Sequence, residues 1–325
     1  MSFFAILIAL LLEQARPLSR SNPVHAGMRA WAVSVRRNFD AGQAHHGWVA
    51  WALAAIVPAL LAAGIYWLLD HFVGWPVAML WNVAILYVTL GFRQFSHHFT
   101  RIRDALEAGD EHSAREALAG WQQVDASELP RSEVVRHVIE YSVICAHRHV
   151  FGVLLWFVVL SMLGLGPAGA VVYRTAEYLS RYWSRKSIAG APPVSERLQH
   201  AARAAWQAMD WLPARVTALG FAIVGSFEEA IDGWRYYAQR FPHDNDGVIL
   251  AATAGAINVQ LGGEALRQRE ELATGPLYDD EEGSSSTPGR AAEVSHLRSV
   301  VGLVWRSVVV WMLLLALLTL ARLLG

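Results

Sequence analysis

Apolar residues along this chain gather into long unbroken runs instead of alternating with polar ones as in a half-buried strand. Two runs, Trp48–Leu69 (WVAWALAAIVPALLAAGIYWLL) and Ser307–Leu324 (SVVVWMLLLALLTLARLL), approach the roughly 20 apolar residues that a membrane-crossing helix needs. A third, Trp75–Phe92, follows the first after Asp70, His71 and Gly74, so the two read as a membrane hairpin. Val150–Val172 is also apolar, but GLGPAG at Gly164–Gly169 interrupts it; the pattern predicts a turn at Gly166 and Pro167 and a return along AVVYRTAEYLSRYW, a half-membrane hairpin. Trp211–Ser226 and Gly247–Gly263 are shorter and rich in Gly, Ala and Thr, residues that let helices approach closely inside a bundle. The opening run, MSFFAILIALLLEQ, is short for an independent span and is expected to lie against other helices; its charges follow the apolar stretch, so it reads as retained and not as a signal peptide.

Between these runs the spacing changes. Phe99–Trp121 places Ile102, Ala105, Leu106, Ala114, Leu118 and Trp121 at helical intervals, with a turn at Gly109 and Asp110, which predicts two short amphipathic helices. A further helix is expected from Ser132 through Glu140 into the membrane, and YDDEEGSSSTPGR at Tyr278–Arg290 reads as a flexible linker. The chain therefore divides into an apolar and basic N-terminal stretch (1–47), a transmembrane hairpin (48–92), a cytoplasmic helical segment (93–148), a re-entrant and membrane-embedded core (149–263), a cytoplasmic linker (264–298) and a C-terminal span (299–325). The fold class is all-α: a polytopic membrane helix bundle with short amphipathic cytoplasmic helices and a half-membrane hairpin.

Composition supports the membrane assignment, with 54% hydrophobic residues, only 17% charged and 14 tryptophans. Arg16, Arg20, Arg29, Arg36 and Arg37 precede the hairpin and Arg93, Arg101 and Arg103 follow it, which places both flanks of this multi-pass chain in the cytoplasm. The lipid bilayer is the expected partner. A formal net charge of −1 gives no basic footprint for nucleic acid. The single Cys145 excludes an internal disulfide, and the pairs His45/His46, His97/His98 and His147/His149 lack the helical spacing of three or four that joint metal ligation requires, so no metal site is expected.

The stretch DWLPARVTALGF at Asp210–Phe221 joins a proline and an arginine to an apolar run. Pro213 suits the first turn of a helix, and Asp210 suits its cap, so a helix is expected to begin here. Arg215 then lies one turn inside, where a charge needs a partner. Asp210, Glu140 and Asp125 are the candidates, with Glu140 the foremost.

The order of ALEAGDEHSAREAL, WQQVDASELPRSEVVRHVIEYS, LLWF, VVYR, LPARVTAL and NDGVILAATAGAINVQLGG resembles the CobD/CbiB family of membrane cobalamin-biosynthesis proteins, the adenosylcobinamide-phosphate synthases, over roughly Pro17–Gly263. The likeness is most specific at Pro213–Arg215 and in AGAINVQLGG. The resemblance implies an enzyme that joins an amino alcohol or its phosphate to a corrinoid carboxylate with ATP and Mg. Residues matching the family pattern are Asp125, Glu140, Arg215, Asn245 and Gly247. Elsewhere the pattern departs. The EN…DG signature falls on Ile144, Cys145, Arg148 and His149, the NTLD signature on Glu177, Tyr178, Leu179 and Ser180, the GRD triplet on Gln123, Val124 and Asp125, and the asparagine before IPAR on Asp210. Arg148 and DWLPAR instead resemble the AmpE branch of the superfamily, inner-membrane proteins linked to β-lactamase induction, as does the N-terminal run ending in glutamate.

Asp125, Glu140, Arg148, Asp210, Arg215, Asn245 and Gly247 together form the candidate polar pocket. Three functions stay open: a synthase using ATP, Mg and a corrinoid; an AmpE-like protein that binds a small-molecule ligand or signals without turnover; and a structural membrane subunit.

Overall fold

The computed structural model describes residues 2–16, 22–40, 44–122, 126–184, 194–241, 243–262 and 286–324. Among them regular structure is helical: α1 (Ser2–Ala15), α2 (Pro23–Phe39), α3 (Ala44–Phe72), α4 (Trp75–Thr89), α5 (Phe92–Glu107), α6 (Glu111–Gln122), α7 (Arg131–Ala146), α8 (Gly152–Met162), α9 (Ala168–Ser184), α10 (Glu196–Val224), α11 (Phe227–Tyr237), α12 (Asp244–Ile257) and α13 (Val294–Leu324). A π-helical turn, His147–Phe151, joins α7 to α8. Among the described residues three stretches are long and apolar enough to cross a membrane: His45–Phe72, Arg131–Met162 and Val294–Ala321. The expected run at Trp75–Phe92 forms the shorter α4, because Leu90 leaves the helix for an extended conformation.

The chain forms two compact units, one of residues 1–93, 148–213 and 315–325, the other of 94–147 and 214–314. In the first unit, α3 packs against α2, α4 and α9, and α1 lies against α4 and α8 as its length implies. Its core sets Ala32 and Val35 of α2 and Ala50, Ala54 and Ala55 of α3 against Leu179, Trp183, Leu198 and Ala202. The chain reverses after Met162 through Gly164 (φ 78°) and Gly166 (φ 54°), left-handed conformations open to glycine, and α9 returns along α8. Gly169 sits so close to the Trp156 carbonyl that a Cβ there would collide with it.

In the second unit α12 packs against α7 and α11. Gly233 and Gly255 let the α11 and α12 backbones touch, since a Cβ at either would strike a carbonyl of the facing helix. Asn258 ends α12 in the left-handed conformation (φ 51°). The chain then runs extended, and 286–290 pairs with it: Gln260 N–H donates to the Arg290 carbonyl (2.7 Å) and Thr287 N–H to the Leu261 carbonyl (2.8 Å). The end of the expected linker is thus tied down, whereas its residues 264–285 lie outside the described residues.

Pro213 requires a correction. The helix does not begin at Asp210; α10 starts at Glu196 and carries Pro213 in its interior. A proline there removes the hydrogen bond to the carbonyl four residues back, here Met209. The Trp156 indole N–H donates to that carbonyl at 3.0 Å and replaces the lost bond. The same device serves Pro58 inside α3: the freed Ala54 carbonyl accepts the Trp31 indole N–H at 3.3 Å.

Candidate functional site

In the first unit the candidates Arg148 and Asp210 belong to one polar cluster inside an otherwise apolar bundle. Arg148 lies on the π-helical turn, an irregularity often found at functional sites. Its guanidinium carbon sits 5.8 Å from the centroid of the Trp206 ring, a cation–π contact. Trp206 packs on Tyr173 (centroids 5.1 Å apart), and the Tyr173 hydroxyl donates to Asp210 Oδ1 at 2.8 Å. Asp210 is fully buried. Gly152 leaves room for the Tyr173 ring, because a Cβ at that position would overlap the phenol.

One turn along α9 from Tyr173 lies Glu177, 1% exposed. Its Oε2 accepts from Arg174 Nη1 at 2.9 Å and its Oε1 meets Arg181 Nε at 2.5 Å. Burial by itself would push this carboxyl up, but Arg181 and then Arg174 outweigh it and hold the group down to about 2. Glu177 is therefore a fixed anion with a guanidinium on each oxygen. The signal for this triad was present in the chain as an arginine three residues before and another four residues after a glutamate, the spacings that face each other on a helix.

The second unit holds Glu140, Arg215, Asn245 and Gly247. Arg215 Nη1 donates to Asn245 Oδ1 at 3.2 Å, and His147 Nδ1 lies 2.9 Å from Thr217 Oγ1. Gly247 is required because a Cβ there would strike the Ala238 carbonyl. Glu140 was the expected partner of Arg215, but its carboxylate does other work. Oε1 accepts the Gly262 N–H at 2.7 Å and stands 3.8 Å from Arg136 Nε, while Arg136 also pairs with Glu133. The reason is periodicity: Glu133, Arg136 and Glu140 fall on one stripe of α7, and Gly262 at the end of the paired segment turns its N–H toward that stripe. Asp125 lies outside the described residues. Among the described residues no three His, Cys, Asp or Glu side chains group as metal ligands would.

A family model described as CobD/Cbib protein matches residues 3–301. A protein named Cobalamin biosynthesis protein CobD from Stutzerimonas stutzeri is 32% identical over 318 residues, 96% of each chain. Proteins of that name from Chromobacterium violaceum (35% over 208 residues, 62% of each chain) and Mycobacterium tuberculosis (28% over 298 residues, 87% of this chain and 84% of the relative) are similar as well. No solved structure matches.

Proposed function

Because the chain belongs to the CobD/CbiB family, we propose that it is a bacterial inner-membrane protein of cobalamin biosynthesis that has lost the amide-forming synthase reaction. One observation carries this reading. At the place where the resemblance puts the NTLD signature, Glu177 is closed between Arg174 and Arg181, so both carboxylate oxygens are already engaged by guanidiniums. Synthesis of an amide with ATP needs carboxylates free to hold a divalent cation against phosphate. A cation brought to Glu177 would have to displace two arginines and would meet their charge. The residues at this place do not fit a magnesium-bound nucleotide.

The cluster does suit binding without turnover. Arg148, with its guanidinium carbon 5.8 Å from the Trp206 centroid, adds a cation to the cluster, and Tyr173 with Asp210 fixes that ring. Arg148 is the residue that the AmpE resemblance carries, so recognition of an anionic small molecule, corrinoid or other, is the AmpE-like form of this proposal. The competing synthase reading draws on the identity to Cobalamin biosynthesis protein CobD along nearly the whole chain.

Incubation of the purified protein with ATP, Mg, adenosylcobyric acid and an amino alcohol phosphate decides between them. The proposal expects no cobinamide product. Product that forms with the wild-type chain and disappears in Glu140→Gln would restore the synthase.

A further inference from the structure

Helix α2 carries three arginines, Arg29, Arg36 and Arg37, and no acidic residue from Pro23 to Phe39. The next acid, Asp40, is taken by Ser195, whose backbone N–H donates to Oδ2 at 3.0 Å and whose hydroxyl donates to Oδ1. Ala32 and Val35 form the buried stripe, seated on α3. At 100° per residue, Arg29 and Arg36 share one flank of that stripe and Val24 and Trp31 share the other. Both apolar residues are open to the surroundings, Val24 at 53% and Trp31 at 38%, with Phe39 at the helix end exposed at 43%. A helix with one apolar flank, one basic flank and exposed aromatics has the make-up of an interfacial helix.

The position of α2 along α3 agrees. The apolar face that α3 leaves exposed is dense from Ile56 to Phe72, about 24 Å at the helical rise, most of the roughly 30 Å of a hydrocarbon layer. The turns of α3 before Ile56 are those that α2 covers, through Ala50, Ala54 and Ala55. Trp31, whose indole N–H reaches the Ala54 carbonyl, and the exposed Trp48 mark that boundary as interfacial tryptophans do.

A second basic element meets α2 there. Met28 Sδ lies 3.9 Å from Thr175 Oγ1 on α9, the residue that follows Arg174. His25 records the resulting field: burial, then Arg174 and Arg29, lower its proton affinity. Glu177 is the buried acid of this seam, and Arg181, 45% exposed, shares it with Arg174.

We propose that the seam between α2 and α9 binds the headgroup phosphate of an anionic phospholipid, with Arg29 and Arg36 as its principal contacts and Val24 and Trp31 against the acyl chains. The inference is independent of whether the protein retains synthase activity. The flank of α2, basic and without an acid of its own, is complementary to a phosphate and attracts it more strongly when the lipid carries net charge.

Reconstitution into nanodiscs of pure phosphatidylglycerol or pure phosphatidylcholine tests it, with thermal unfolding and the number of lipids retained in native mass spectrometry as readouts. The wild-type chain should unfold at a higher temperature and retain more lipid in phosphatidylglycerol. Arg29→Gln with Arg36→Gln should lose at least half of both differences, while Arg101→Gln with Arg235→Gln, an equal loss of charge on exposed residues of the second unit, should lose neither. Arg29→Lys with Arg36→Lys should keep most of the effect, which separates lost charge from lost folding. Equal behaviour of the wild type in the two lipids, or an equal loss in the control pair, would overturn the proposal, the latter because it would reveal only diffuse attraction.

Discussion

The indole N–H of Trp156 donates to the Met209 carbonyl at 3.0 Å, the carbonyl that Pro213 leaves without its helical partner. A helix interrupted by proline inside an apolar bundle has no water to satisfy the freed acceptor, so the tryptophan makes Pro213 tolerable. This relationship predicts a specific non-additivity. Trp156→Phe should lower stability in detergent by about 1–3 kcal/mol, the cost of a buried carbonyl without a donor. With Pro213→Ala, where the helix supplies its own N–H, the same change should cost less. Equal costs of Trp156→Phe in both backgrounds, measured by thermal unfolding, would show that the indole contributes packing alone.

The carboxylate of Glu140 holds the Gly262 N–H, and through it the pairing of 258–262 with 286–290. Glu140→Ala should therefore speed amide hydrogen exchange in peptides covering those two segments while leaving α3 unaffected. Glu140→Gln keeps an acceptor and should be closer to wild type. Arg215 belongs to Asn245, so Arg215→Ala and Asn245→Ala should show coupling in a double-mutant cycle, whereas Arg215→Ala and Glu140→Gln should add. Coupling confined to the second pair would restore the Arg215–Glu140 ion pair expected from the chain alone.

Acid should weaken the first unit through Glu177. Its folded carboxyl, near 2, lies below the ordinary 4.5, so the unfolded chain binds the proton more readily. The stabilisation is complete above about 4.5 and is lost as pH falls toward 2. Glu177→Gln should cost on the order of 3 kcal/mol at neutral pH, since two guanidiniums lose their carboxylate. That gap from wild type should narrow steadily in acid. A difference in unfolding temperature that stays constant from neutral pH to pH 3 would refute the ion-paired state.

Orientation follows from the arginines that flank the α3–α4 hairpin. Cysteines introduced as Arg37→Cys and Arg101→Cys should react with a membrane-impermeant maleimide only after cells are opened, and Asp70→Cys at the exposed hairpin tip should react in intact cells. The native Cys145 is buried and provides a low background. Labelling of residue 37 in intact cells would invert the topology.

Much of this architecture is decided locally and was therefore readable along the chain. Runs of apolar residues make helices in lipid because each backbone group must find its partner within the segment. GLGPAG breaks one run because two of its glycines adopt left-handed conformations. The helices α5 and α6, with the turn at Gly109 and Asp110, follow from spacing in the same way. Site assignments fared differently. Pro213 reads equally well as a helix start or as a tolerated interior residue, and the choice rests on a tryptophan 53 residues before Met209, whose carbonyl the proline frees. Glu140 and Arg215 are both ionic and both match the family pattern, yet one is claimed by the backbone of Gly262, 122 residues away, and the other by Asn245. Turns and spans come from steric and hydrophobic terms that each residue carries with it. The partner of a buried polar group is chosen by whichever donor or acceptor the packed helices bring within hydrogen-bonding distance, and only the tertiary structure sets that distance.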